Sequence, residues 1–146
     1  MTRTVETLDT SNDRQIERAF GVFSHLRPHL DCGTFLKRVH AQQAEGYKIV
    51  YIELDGEIVC AAGYRLASFL AWGKVLYVDD LITHPEKKRL GLGGRLLDWL
   101  IEEGTRLGCD EVHLDTGFAR HDAHRLYLNK GFKLDCHHLS LKLPKR

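Results

Sequence analysis

Nowhere in this chain is there an apolar run approaching the roughly 18 residues that a membrane-crossing helix needs. The opening residues, Met1-Thr2-Arg3-Thr4-Val5-Glu6, also lack the apolar core of a secretory signal, so a cytoplasmic location is expected. Neither sign of charge is in excess. Twenty-one Lys and Arg face 20 Asp and Glu, a net charge of +1, which argues against a nucleic-acid or membrane-surface partner. Cysteine pairs with C-x-x-C spacing are missing, and Cys32, Cys60, Cys109 and Cys136 lie scattered as reduced thiols would. A metal site is not expected either. His121 and His124 stand only at i, i+3, and the adjacent His137 and His138 would point to opposite faces of a strand. Repeats, low-complexity segments and linkers are absent, so residues 1–146 read as a single domain large enough for a proper core.

What is present is a clear succession of elements. Ile16, Ala19, Phe20, Phe23 and Leu26 recur at helical spacing, which predicts a helix over about 11–27 ending before Pro28. A second helix is expected over about 31–45, with Phe35, Leu36 and Val39 inward and Gly46 as terminator. Two strands, Tyr47–Leu54 and Glu57–Leu66, flank Asp55-Gly56, a hairpin signal. Residues 67–73 read as a loop and 74–83 as a long strand. A helix over about 93–107 follows, burying Leu96, Leu97, Leu100 and Ile101. Then come a strand over 111–115, a short helix over about 121–130 and a last strand, Cys136–Leu143.

The segment Lys88-Arg89-Leu90-Gly91-Leu92-Gly93-Gly94-Arg95 joins the long strand to the helix after it. A helix N-terminus exposes N–H groups with no intrahelical partner, and the helix dipole makes that end attractive to anions. Glycines let an anion approach the backbone closely, so phosphate oxygens fit here. Lys88, Arg89 and Arg95 add positive charge. The dinucleotide fingerprint fails because Leu96 stands at its third glycine, and the triphosphate loop G-x-x-x-x-G-K-[ST] is absent. A plain glycine-rich turn is the blander reading.

Lys88-Arg89-Leu90-Gly91-Leu92-Gly93 resembles the [R/Q]-x-x-G-x-[G/A] loop of the GNAT superfamily of acetyl-CoA-dependent N-acetyltransferases, with Lys88 where Arg or Gln is usual. About 40 residues on, as that family requires, Ala123-His124-Arg125-Leu126-Tyr127-Leu128-Asn129-Lys130-Gly131-Phe132 resembles its A-x-x-[L/F]-Y-x-x-x-G-F helix and turn. Arg120 stands where many relatives carry Asn. The resemblance spans about residues 47–143 and, more weakly, the helical front end. It implies an α/β (α+β) fold with a mixed, mostly antiparallel central sheet flanked by helices, in the order β-α-α-β-β-β-α-β-α-β. In that fold two neighbouring strands splay apart to admit the pantetheine arm of acetyl-CoA.

The resemblance further implies a bacterial-type enzyme that moves an acetyl group from acetyl-CoA directly to a primary amine. The alternative is a catalytically silent domain that binds acyl-CoA as a sensor or docking module. Cofactor contacts are implied for the backbone of Leu81, Ile82 and Thr83, for Lys88, Arg89, Leu90, Gly91, Leu92, Gly93 and Gly94, and for Lys130. Tyr127 matches the residue beside the cofactor sulfur, where a phenol can protonate the leaving thiolate. An acidic residue on the preceding strand would face the amine. Asp79 and Asp80 both qualify, and strict strand alternation would send only one into the cleft. Counting back from the loop favours Asp79; Glu53 and His113 are runners-up. An ordinary Asp is too weak a base for direct abstraction, so relay through water is expected. The acceptor, a small-molecule or peptide amine, would be shaped by the first two helices, the Arg27–Cys32 connection and the 67–73 loop. A homodimer is an open assembly state.

Overall fold

Five strands form one sheet whose spatial order is also its chain order: β1 (Val5–Thr7), β2 (Lys48–Leu54), β3 (Glu57–Phe69), β4 (Gly73–Thr83) and β5 (Glu111–Leu114). Pairing is antiparallel from β1 to β4 and parallel between β4 and β5. A parallel pair needs a long crossover. Here it is a single 3-10 turn (Pro85–Lys87) and a helix, α3 (Leu92–Arg106). This computed structural model describes residues 4–117 and 120–145. The chain divides into two compact units, Met1–Leu114 and Asp115–Arg146.

In the first unit, helix α1 (Asp13–Leu26) begins where Asn12 accepts hydrogen bonds from the backbone N–H groups of Arg14 and Gln15. Helix α2 (Cys32–Gln43) begins where Asp31 accepts from Thr34 N–H at 2.7 Å. Such caps satisfy donors that the first turn leaves unpaired. The buried stripe of α1, Ile16, Ala19, Val22 and Phe23, packs with Phe35 and Val39 of α2 on one face of the sheet. Phe23 and Phe35 bring their rings to 5.2 Å, within the range where aromatic pairs attract. The opposite face takes α3 through Leu92, Leu96, Leu97 and Leu100, and Trp99 meets Tyr64 edge-on. Gly104 lets that helix lie close, because an added Cβ would crowd Val112 and touch Leu76.

Two expectations need correction. The stretch 67–73 is mostly strand: Ser68 pairs with Lys74 and Phe69 with Gly73, leaving only residues 70–72 as the turn. Gly73 turns at φ +75°, and the Asp110 carboxylate accepts from Lys74 N–H at 2.9 Å, which fixes the hairpin end. The second is the last strand. Residues 133–145 are irregular, although Leu139, Leu141 and Leu143 alternate as a strand would. A strand is held by a ladder, and helix α4 (His121–Asn129) is the only regular element among the described residues of the second unit. No helix among the described residues is long and apolar enough to cross a membrane.

Candidate functional site

The glycine loop owes its shape to two residues in the left-handed region, Arg89 at φ 69° and Gly91 at φ 74°. Gly91 is the N-cap of α3 and no side chain caps that helix. The first helical bond at this end runs from Arg95 N–H to Gly91 O at 3.0 Å. The N–H groups of Leu92, Gly93 and Gly94 therefore have no acceptor within the helix. Lys88, Arg89 and Arg95 are exposed around them. Three donors, an aligned dipole and basic side chains suit a pyrophosphate.

Strand β4 leads into this loop, and over its last residues one edge has no neighbouring strand among the described residues. Its parallel ladder to β5 covers only Val75–Val78 against Glu111–Leu114. From Asp79 to Thr83 the strand pairs with β3 alone among the described residues. Backbone groups left without a ladder partner can accept an extended ligand, as an added strand would. Leu81, Ile82 and Thr83 lie on this stretch.

The carboxylates overturn the expectation of strict alternation. A bulge interrupts β4 so that Gly63 pairs with Asp80 and Tyr64 with Val78, leaving Asp79 as the extra residue. Followed from Val78, Asp79 shares the face of Tyr77; followed back from Leu81, Asp80 shares the face of Ile82, which packs towards α1 and α2. Both carboxylates therefore enter one polar network. The Arg65 guanidinium donates Nε to both oxygens of Asp79, at 3.2 Å to Oδ1 and 3.0 Å to Oδ2, and Nη2 to Oδ2 at 2.6 Å. Arg65 also lies 5.4 Å over the Tyr47 ring. Tyr47 donates its hydroxyl to Asp80 Oδ2 at 2.7 Å, and Arg27 donates Nε and Nη2 to Oδ1 at 3.1 and 2.9 Å. Burial raises the Asp79 carboxyl above its ordinary range, with Arg65 opposing the rise. Burial also pushes the Tyr47 phenol well up, and neighbouring Asp80 adds to the effect, so Tyr47 is a donor.

Asp80 and Tyr47 line a cavity of about 290 Å³ beneath the ends of α1 and α2. Phe23, Leu30, Phe35 and Val39 supply its apolar wall; Arg27, His29, Arg38 and Gln42 supply polar groups. Asp79 is not among the lining residues. The Arg27–Cys32 connection lines this cavity through Arg27, His29 and Leu30, and the 70–72 turn does not. Gly63 is what makes the arrangement fit: a Cβ there would fall inside the Tyr47 hydroxyl.

Two runners-up are engaged elsewhere. Glu53 forms an ion pair with Arg18. His113 bonds Glu111 at 2.6 Å and stacks on Trp72 at 4.0 Å. Neither lines the cavity. Burial pushes the Cys60 thiol up to about 11, the opposite of what a nucleophile needs. No cluster of three potential metal ligands occurs among the described residues.

In the second unit, Tyr127 is explained by its turn. Gly131, at φ 96°, lets Phe132 N–H donate to Tyr127 O and Gly131 N–H to Leu128 O, both at 3.1 Å. These two bonds close the helix as a Schellman motif, with the Tyr127 and Phe132 rings 6.1 Å apart as its apolar contact. Lys130 is the C-cap of the same helix. Burial raises the Tyr127 phenol above its usual 10.0, so it remains protonated at neutral pH.

Sequence reasoning missed Arg27, Tyr47, Gly63 and Arg65 as members of one network. Local spacing carries no signal for them, since Tyr47 and Asp80 lie 33 positions apart and Arg27 and Asp80 lie 53 apart.

Comparison with known proteins gives a consistent picture. A family model described as the acetyltransferase (GNAT) family matches residues 12–132. The chain is similar to the uncharacterized N-acetyltransferase YhdJ of Bacillus subtilis (strain 168), 31% identical over 128 residues, covering 86% of this chain and 89% of that one. It is also similar to the aminoalkylphosphonate N-acetyltransferase of Salmonella typhimurium, 36% identical over 56 residues, which is 38% of this chain and 36% of the relative. Among solved structures, the fold matches the aminoglycoside N-acetyltransferase AAC(6')-Iy in complex with CoA, with a TM-score of 0.81 at 16% identity, covering 96% of this chain and 93% of that one.

Proposed function

This chain belongs to the GNAT acetyltransferase family, and from that premise we propose that it transfers an acetyl group from acetyl-CoA to the primary amine of a small molecule. The observation that carries this reading is the path along β4: a backbone edge that beyond Val78 has no ladder partner among the described residues, running into a helix N-terminus at Gly91 that no side chain caps. The N–H groups at the start of α3 hold the pyrophosphate, and the edge at Leu81, Ile82 and Thr83 orders the pantetheine. Lys130 is a further cofactor contact carried by the motif match. We further take residues 1–146 as one acetyltransferase domain.

Acetyl-CoA supplies the acetyl group as a thioester; the chain supplies position and proton transfer. Asp80 is the carboxylate that meets the amine. Its two oxygens already accept three hydrogen bonds, which leaves about one of roughly four acceptor positions for an ammonium hydrogen. The amine, ordinarily with a pKa of about 10, gives its proton to water held beside Asp80 before attack. A C–N bond forms to the acetyl carbon, the C–S bond breaks, and the nitrogen sheds its second proton to the same water beside Asp80, leaving a neutral amide. Tyr127, by its motif match, gives the Oη proton to the departing sulfur and regains one from solvent. Asp79, held by Arg65, keeps the bulge and its neighbour in place.

The test is a panel of primary amines incubated with acetyl-CoA, with release of free thiol as the readout. Acetylation of at least one small amine, lost on Gly91→Val, is the expected result. Thiol release that no amine stimulates would remove the transferase reading.

A further inference from the structure

The cavity under α1 and α2 is lined by polar groups of two kinds. Its floor is Asp80 with the Tyr47 hydroxyl, a negative site suited to an ammonium. Its other polar groups are basic or neutral: Arg27 from the end of α1, His29 from the connection, and Arg38 and Gln42 from α2. Arg38 and Gln42 reach the cavity because they follow Phe35 at i+3 and i+7, on the same face of the helix.

Two guanidinium groups line this cavity against one carboxylate. Arg27 donates to Oδ1 of Asp80 at 2.9 Å, and Oδ2 beside the Tyr47 hydroxyl keeps an acceptor position. Arg38 forms no hydrogen bond or ion pair among the described residues, and its guanidinium is a second positive charge facing a cavity that holds a single carboxylate. His29 lines the same cavity, likewise without a partner among the described residues. Guanidinium is the side chain best matched to a carboxylate or phosphate-type oxyanion, because its parallel N–H groups bond both oxygens. At about 290 Å³ the space suits a small molecule.

We infer that the acceptor is a small amine carrying an oxyanion, a carboxylate or a phosphonate or phosphate group, with the amine at Asp80 and the oxyanion at Arg38, His29 and Gln42. This deepens the acetyl-transfer reading and rests on it for the role of the amine end; the oxyanion end rests on the cavity alone.

The experiment is calorimetric titration of the full chain saturated with CoA, which needs no turnover. The probes are 2-aminoethylphosphonate, β-alanine and the neutral ethanolamine. The two oxyanion-bearing amines should bind about tenfold or more tightly than ethanolamine, the scale of one charge-assisted contact. Their ranking tells phosphonate from carboxylate. Arg38 is exposed and without a partner, so Arg38→Gln should fold normally and erase most of that preference while leaving ethanolamine unchanged. Equal affinities for all three probes, no binding of any, or a preference that survives Arg38→Gln overturns the inference. Binding with the expected preference but without acetylation of any amine sinks the transferase reading instead and leaves the oxyanion site standing.

Discussion

Asp79 and Asp80 are adjacent, face the same side of the sheet and still differ in chemistry because different arginines hold them. Asp80 lines the acceptor cavity, so Asp80→Asn should depress kcat/KM most near neutral pH. The deficit should shrink as pH approaches the amine's pKa of about 10, where the substrate arrives already deprotonated. Asp79→Asn should instead lower stability by releasing Arg65, with a pH–rate profile of parental shape. Parental profiles in both variants would leave the proton to water alone. Tyr127→Phe should bind acetyl-CoA normally and turn over roughly 10²-fold more slowly, the scale of a lost general acid. Full activity would return Tyr127 to packing. Tyr47 tests the same network through stability. Its phenol is pushed above the unfolded value of 10.0, so its contribution to stability is fully present below that pH and is lost as pH rises beyond it. Urea midpoints measured from pH 8 to 11 should fall, and Tyr47→Phe should flatten the decline; an unchanged slope would mean the phenol ionises as freely in the fold as outside it.

At the scale of the element, two glycines hold the site open for different reasons. Gly91 sits at φ 74° at the head of α3, a conformation that strains any β-branched residue. Gly91→Val should both distort the loop and put methyl groups where phosphate oxygens approach, so calorimetry should show acetyl-CoA affinity falling sharply. An unaltered affinity would move the phosphate site elsewhere. Gly63 is a matter of space. A methyl group there collides with the buried Tyr47 hydroxyl and forces it from Asp80. Gly63→Ala should cost about 1–3 kcal/mol, as overpacking does, and raise KM for the amine while acetyl-CoA affinity stays near normal. A raised KM for both substrates would contradict the division between an acceptor end and a cofactor end.

The whole molecule raises the question of how many cooperative units 146 residues contain. Residues up to Leu114 carry the sheet, the glycine loop and the cavity lined by Asp80, and residues from Asp115 carry Tyr127. The reading as one acetyltransferase domain predicts coincident unfolding of both. Tryptophan fluorescence reports the first unit through Trp72 and Trp99, and amide exchange across residues 121–129 reports the second. Coincident transitions are the mark of a single cooperative domain. Exchange in α4 that is complete while the tryptophans remain native would divide the chain in two.

By itself the sequence determined the features that depend on the conformation of a few neighbouring residues. The glycine loop at the head of α3 was legible because Gly91, Gly93 and Gly94 leave the backbone free to turn and to be approached. The turn after Tyr127 was legible because Gly131 followed by Phe132 marks a helix end. Helix faces followed from periodicity, and the Asp55-Gly56 turn from its need for positive φ at both positions. The tertiary structure alone decided what depends on register. One extra residue at Asp79 cancels the alternation that would have separated two carboxylates, and composition gives no sign of where such a bulge falls. It also decided where the β4–β5 ladder stops and which arginine reaches which aspartate. Partners 14 and 53 positions apart meet only because the sheet and helices bring them there, and nothing local in the sequence encodes that meeting.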